Sequence, residues 1–292
     1  MNNKTAYIFS GQGFSFSELV HFGDVSFPPD IVSIYESIFE RQLEPLGELT
    51  SESYRKNEIS AAILMMSAFL GLEYNSPSPI FMAGFSVGQY IALYAAGALT
   101  RSELVTLVFK RCKYMNEAAS STHGAMVSVL GLSYDDVNEL ADANNVWISS
   151  DNAPGNVTVS GEVEALNVFC ILARERGAYR VHKLHTSGAW HCPHMTLAGS
   201  ELAAAVSEVF WKPTAIPVID NVTVSEFEVA NAQHQLVSHL TEAVRWRETI
   251  KYLSRQGVTH FLEISHFDLL QKMGPFITRK AEWKSVQSFK VQ

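Results

Sequence analysis

PIFMAGFSVGQYIALYAAGAL, residues 79–99, joins a short apolar run, a glycine-flanked serine and a helix-forming stretch. Pro79 to Ala83 reads as a buried central strand, and Val87 to Ala96 as the helix that follows it. Between them, Gly84-Phe85-Ser86-Val87-Gly88 fits G-x-S-x-G, an elbow that lifts a serine off the end of a strand. Glycines relieve side-chain clashes where a chain turns this sharply. The pentapeptide alone is a common pattern. Its position between a strand and a helix gives it weight.

The same alternation extends in both directions and predicts an α/β fold. Upstream, Ala6 to Ser10 reads as a first buried strand ending in the turn Gly11-Gln12-Gly13, and Ser60 to Leu72 as a buried helix. Downstream, Arg101 to Ala119 reads as a helix capped by Thr100, with Glu103 completing a capping box. Residues 125–185 then change character. Ala125 to Leu130, Val146 to Ser150, Val157 to Ser160 and Tyr179 to His185 read as strands, with Asn152 to Gly155 as a turn. Helices over Ser133 to Ala143 and Val163 to Arg176 complete a β-α-β-β-α-β order, the ferredoxin-like unit. The expected layout is therefore a large α/β subdomain (1–123 and 192–292) with a small inserted one (124–191). The large part resumes with helix 193–209, strand 216–219, helix 245–255 and strand 259–264. A ligand cleft is expected between the two.

The elbow serine is the first candidate for chemistry. A hydroxyl is a weak nucleophile and needs a base. Its place at a helix start offers free N–H groups, that of Val87 first, to a developing oxyanion. Ten histidines are available as the base. His191, in the turn-rich Ser187-Gly188-Ala189-Trp190-His191-Cys192-Pro193, sits where the chain leaves the small unit; by position alone His182, His185 and His194 compete with it. No carboxylate stands out as a third member of a triad.

Composition bounds the partners. The 292 residues carry a net charge of −8 and no basic run, which argues against nucleic-acid binding. No apolar stretch approaches the roughly 20 residues of a membrane span, and the first residues lack a secretory signal, so a cytoplasmic location is expected. Three cysteines match neither a metal nor a redox spacing, so no metal is expected.

Motifs in order along residues 6–264 carry a resemblance to the malonyl-CoA:acyl-carrier-protein transacylase family and the acyltransferases of polyketide synthases. Gly84 to Tyr90 resembles the family's GHSxGEY, with Gly97-Ala98-Leu99 closing its AAGAL. Phe9 to Gly13 resembles FPGQG, and Asn152 to Gly155 resembles NSPGQ. Ile216 to Thr223 resembles VPVISNVT, Val244-Arg245-Trp246 matches PVRW, and Phe261 to Ile264 resembles FIEVG. The resemblance implies an α/β-hydrolase-like large subdomain with an inserted ferredoxin-like small one. It also implies Ser86 as the acylated serine, His191 as base, and the N–H groups of Gln12 and Val87 as oxyanion hole. Arg111 would grip the free malonyl carboxylate, and a main-chain carbonyl at His239 would orient His191. Phe85, Asn152 and Trp190 would line the substrate site. In related acyltransferases the residue before the histidine tends to be Phe in malonyl-selective members and Ser in methylmalonyl-selective ones. Coenzyme A would enter as the thioester of the substrate malonyl-CoA. The phosphopantetheine would belong to a partner acyl carrier protein, and no resident cofactor is implied.

Phe85 stands for the family's histidine, Gln89 for its glutamate, Ser10 for the proline of FPGQG, and Ser265-His266 for a Gly-Pro pair. These departures suggest a divergent branch, either a discrete acyltransferase serving a polyketide assembly line or the malonyl-transferring subunit of malonate decarboxylase. Two other classes stand beside transfer: a hydrolase clearing acyl groups from carriers, and a non-catalytic carrier-docking protein. The clamp at Arg111 argues against the first and the intact set of groups against the second.

Overall fold

Thr5–Phe9 is buried along its whole length and forms β1, the middle strand of a five-stranded parallel sheet. The computed structural model describes residues 4–14, 16–22, 25–73 and 77–286. After β1 come α1 (Pro29–Phe39), α2 (Asn57–Leu72), β2 (Phe81–Gly84), α3 (Gly88–Ala95) and α4 (Arg101–Ser120). The small unit follows: β3 (Gly124–Leu130), α5 (Tyr134–Ala143), β4 (Trp147–Ala153), β5 (Asn156–Glu162), α6 (Val163–Glu175) and β6 (Arg180–Lys183). The chain closes with α7 (Thr196–Ser207), β7 (Val218–Ile219), α8 (Ala232–Thr241), α9 (Trp246–Arg255), β8 (His260–Glu263), α10 (Leu269–Ile277) and β9 (Glu282–Ser285).

The large sheet runs β7-β2-β1-β8-β9, every neighbour parallel. Such strands are buried on both faces and read as continuous apolar runs, as Thr5–Phe9 does. From β1 the chain moves to β2 on one side and returns to β8 on the other. The strand order therefore reverses between β1 and β8, and the crevice at the carboxyl ends of β2, β1 and β8 opens there, the usual ligand position in open α/β sheets.

The second sheet is antiparallel, in the order β4-β5-β3-β6. This is the ferredoxin-like arrangement its β-α-β-β-α-β order predicts. Alternation along the strands separates its faces. Val127, Val129, Val157 and Val159 pack with Val137 and Leu140 of α5 and Leu166 and Phe169 of α6. Met126, Ser128, Asn152 and Thr158 line the crevice. The edge strand β4 is pinned to the large part: Asp151 N–H donates to Val244 O at 2.9 Å, and Arg247 Nε donates to Asp151 Oδ2 at 2.8 Å.

Thr100 and Glu103 form the expected capping box on α4. Several bounds differ from expectation. The helix expected from 193 begins with a 3-10 turn, Pro193–Met195, before α7. The strand expected over 216–219 keeps only Val218–Ile219; Pro217 accepts from Met82 N–H at 2.9 Å but has no N–H to return. The turn expected over Asn152–Gly155 narrows to Pro154-Gly155. Gly155 takes a φ of 69°, and Asn152 falls inside β4.

Candidate active site

Ser86 sits between β2 and α3 with φ 54°. An L-residue in this left-handed region costs about 1–2 kcal/mol, so the surroundings must hold it. They do so by close approach. A Cβ on Gly84 would lie 2.0 Å from the Gly88 carbonyl carbon, and one on Gly88 would lie 2.2 Å from Phe9 O. The elbow glycines are thus required by backbone crowding rather than by their own dihedrals. Asn221, just past β7, donates through Nδ2 to Gly84 O at 2.6 Å and braces the turn from the far side.

His191 also takes a left-handed backbone, φ 57°, and its Nε2 lies 2.8 Å from Ser86 Oγ. His182 and His185 line the cleft but stay exposed, and His194 packs edge-on against Trp147 at 5.2 Å. Of the four histidines weighed from sequence, His191 is the one within hydrogen-bond reach of the serine. Burial pushes its pKa down to about 3, the Arg111 charge adds to that, and the main chains of His239 and Glu242 oppose it. The imidazole is therefore neutral at neutral pH and can accept the serine proton. The main chain of His239 is near enough to favour the charged ring, yet Nδ1 of His191 has no hydrogen bond of ordinary geometry among the described residues.

Arg111 reaches in from α4. Its Nη2 donates to Ser86 Oγ at 3.2 Å, and it is only 1% exposed. Its Nε and Nη1 find no acceptor among the described residues. A buried cation with unpaired donors beside a reactive hydroxyl is a site for an anion. Nothing in the helical sequence around Arg111 marks it as buried.

Val87 precedes the first turn of α3, where a main-chain N–H has no intrahelical acceptor. Gln12 lies on the loop leaving β1, fixed by its side chain: Nε2 donates to Asn57 O at 2.8 Å and to Ser60 Oγ at 2.6 Å. Gln12, Phe85, Ser86, Asn152, Trp190 and His191 all line one cleft of about 380 Å³. Trp190 is 7% exposed, and its Nε1 has no partner among the described residues. Asn152 is steadied by Asn156 Oδ1 at 3.1 Å and Thr158 Oγ1 at 3.0 Å. Phe85 stacks edge-on against Trp246. A larger hollow of about 530 Å³ lies between α7 and α8, and none of these side chains lines it.

Sequence reasoning did not find the buried pair behind His191. His239 Nε2 lies 2.5 Å from Asp220 Oδ2, and both side chains are buried. Burial opposes ionisation of Asp220. The His239 charge and the N–H groups of Thr223 and Val222 outweigh it and hold the carboxyl down at about 2. Nineteen residues separate the partners, so no local spacing announces the pair.

Residues 5–287 match the family model described as acyl transferase domain. The malonyl CoA-acyl carrier protein transacylase of Bacillus subtilis (strain 168) is 30% identical over 295 residues, which covers 95% of this chain and 92% of that protein. The solved malonyl CoA-acyl carrier protein transacylase of Coxiella burnetii superposes with a TM-score of 0.86 at 28% identity, covering 97% and 94% of the two chains. A malonyl-transacylase solved with its type II PKS acyl-carrier protein gives 0.82 at 26% identity, covering 97% and 95%.

Proposed function

The chain belongs to the acyl transferase family, and on that premise we propose that it moves a malonyl group from malonyl-CoA to the phosphopantetheine thiol of an acyl carrier protein through an ester on Ser86. One observation carries the malonyl assignment. Arg111 is buried, carries its charge 3.2 Å from the nucleophile, and has two donors with no acceptor among the described residues. A dicarboxylic half-thioester supplies what they lack, and a planar guanidinium suits bidentate grip on a carboxylate.

The steps follow from this placement. Ser86 Oγ attacks the thioester carbonyl while Nε2 of neutral His191 takes its proton. The oxyanion faces the N–H groups of Gln12 and Val87. The C–S bond breaks, the imidazolium returns the proton to the departing thiolate, and coenzyme A leaves. The carrier thiol gives its proton to His191, attacks the Ser86 ester and takes the malonyl group, and Oγ recovers the proton. Each half is a proton-balanced acyl exchange, and no resident cofactor is called for. The carboxylate of the bound malonyl group also offsets the Arg111 charge that lowers the His191 pKa, so the base strengthens once the correct substrate is seated. Among the described residues no helix is long and apolar enough to cross a membrane, and we assign the reaction to the cytoplasm.

Intact-mass measurement after mixing with malonyl-CoA tests the reading. A malonyl adduct that persists until a phosphopantetheinylated carrier discharges it is the expected result. Rapid loss to water would mark a hydrolase, and no adduct would mark a docking protein. Ser86→Ala deletes one hydroxyl and should fold without taking up malonyl; labelling at the wild-type rate would remove Ser86 from its role.

A further inference from the structure

Glu263 ends β8, opposite Ile8 of β1, and is fully buried. Its Oε1 accepts from Ser10 Oγ, in the residue that leads into the Gly11-Gln12-Gly13 loop. Its Oε2 accepts from Gln271 N–H at 2.8 Å, in the first turn of α10. A carboxylate suits that place, because the first N–H groups of a helix have no partner within it. Leu269, Leu270 and Met273 of α10 line the cleft, and a Cβ on Gly13 would lie 3.4 Å from Leu269 Cδ2. One carboxylate thus joins the loop that carries Gln12 to the helix that walls the cleft. The family text has a proline where this chain has Ser10, and a proline has no hydroxyl to donate.

We propose that Glu263 is a positioning residue for acyl transfer, holding the Gln12 loop through Ser10 and the α10 wall through its first N–H groups. The proposal rests on the acyl-transfer reading for what the loop positions, an oxyanion donor.

Ionisation governs the strength of this link. Burial pushes the Glu263 pKa up to about 7, and Asp268 adds to that. Ser10 and the N–H groups of Gln271 and Leu270 pull the other way. Among the described residues, the other charge facing it is Lys272 of α10, which pairs with Asp268 at 2.6 Å; β9 sets Ser285 opposite in the ladder. The ionised carboxylate accepts from Ser10 and the helix together, so the link tightens as pH rises through about 7. Stability runs the other way. The folded carboxyl holds its proton more tightly than the unfolded one, so its contribution is complete below the ordinary glutamate range and is lost as pH rises through about 7. His191 at about 3 and Asp220 at about 2 titrate far below this window.

The test uses two readouts across pH 5.5–8.5: malonyl transfer to a carrier, and labelling of Ser86 by a fluorophosphonate, which needs the nucleophile and oxyanion hole but not the malonyl clamp. Wild-type rates should rise through about pH 7. Glu263→Gln should flatten that rise and lower kcat about 10-fold at pH 8 with the malonyl-CoA KM unchanged, since displaced positioning groups lose rates of this order or more. Ser10→Ala, a milder change should the first variant not fold, should move the rise to higher pH, because it removes a donor that favours the charged form. The His182→Gln/His185→Gln variant removes the imidazoles at the cleft mouth and should leave the rise in place. Unchanged profiles in Glu263→Gln and Ser10→Ala, or a rise that vanishes with the two histidines, would overturn the proposal. Should wild type label with fluorophosphonate but transfer no malonyl, the functional reading fails, and the labelling profiles still decide the role of Glu263.

Discussion

On the large-sheet side of the cleft, His191 and Arg111 are almost fully buried, and Ser86 and His191 both hold left-handed backbone. On the small-sheet side, Ser128, Asn152 and Thr158 present neutral polar groups from β3, β4 and β5, with Asn152 at a register shift in β4 and His182 exposed at the rim. Chemistry needs charge and strain held in place, and the first wall supplies both, the charge on buried Arg111 and the strain in an elbow held by close backbone contacts. Holding a long, amide-rich arm needs neutral hydrogen-bonding groups along the cleft, and the second wall offers those. Substitutions on the first wall should therefore change rate and acyl selectivity sharply, and those on the second should change carrier affinity mildly.

Arg111→Ala is the sharpest way to break this contrast. A hydrogen bond to a charged group contributes about 1.5–3 kcal/mol, so malonyl transfer should fall at least about 10- to 100-fold, with acetyl transfer far less affected. Arg111→Lys should restore little, because an ammonium is a point charge and cannot fork. Rates for both acyl groups are compared in one carrier assay. Equal losses would make Arg111 a packing residue and erase the distinction between the walls.

Much of the architecture was legible because it repeats local rules. The elbow glycines, the Thr100 capping box and the β-α-β-β-α-β order are patterns within a few residues or a few elements, and each reappears in the structure. Ser86 and Val87 came from the elbow itself. His191 needed the resemblance, since position alone left His182, His185 and His194 beside it, and only the fold brings one of them to 2.8 Å from Ser86 Oγ. Arg111 looks like a solvated helix residue in sequence, and its burial depends on what packs over α4. The Asp220–His239 and Ser10–Glu263 pairs were not legible at all. They join residues 19 and 253 positions apart, and long-range polar pairing leaves no periodic trace. Strand ends were misjudged where proline removes a donor, at Pro217, and where a hairpin continued through polar residues to Pro154.

Trp190 lies where the two walls meet and sharpens the comparison at intermediate magnitude. It precedes His191, lines the cleft and is larger than the Phe or Ser of the related acyltransferases. It should crowd the carbon that bears the extra methyl of methylmalonyl. One methyl in a tight pocket discriminates by about 1–3 kcal/mol, or roughly 10- to 200-fold. Competition between the two thioesters should favour malonyl, and Trp190→Ser should narrow the gap. Comparable kcat/KM values in wild type would end this role. If Trp190→Ser only lowers thermal stability and leaves selectivity intact, the ring is packing and does not select.

The smallest effect is expected at the outer rim of the small sheet, where an acidic carrier needs local positive charge on a chain that is itself acidic. Arg174, Arg176, Arg180 and Lys183 are the cations the sequence offers there. The structure separates them. Arg176 is held by Asp136 at 3.3 Å and Glu139 at 3.2 Å. Lys183 pairs with Val127 in the ladder and shares the helix-side face with Arg174, whereas Arg180 alternates with it onto the face of cleft-lining His182 and Ser128. Arg180 is therefore the cation best set to meet a carrier whose arm enters the cleft. Exposed charge pairs contribute about 0.2–1 kcal/mol, so Arg180→Glu should raise the apparent KM for carrier about 2- to 5-fold and leave that for malonyl-CoA alone. The effect should fade with added salt, because the charges lie in solvent. Arg176→Glu should do less, its charge being already engaged. If Arg176→Glu proves the stronger of the two, or if neither moves the carrier KM at low salt, the carrier approaches the cleft from another side and the neutral wall is not its rim.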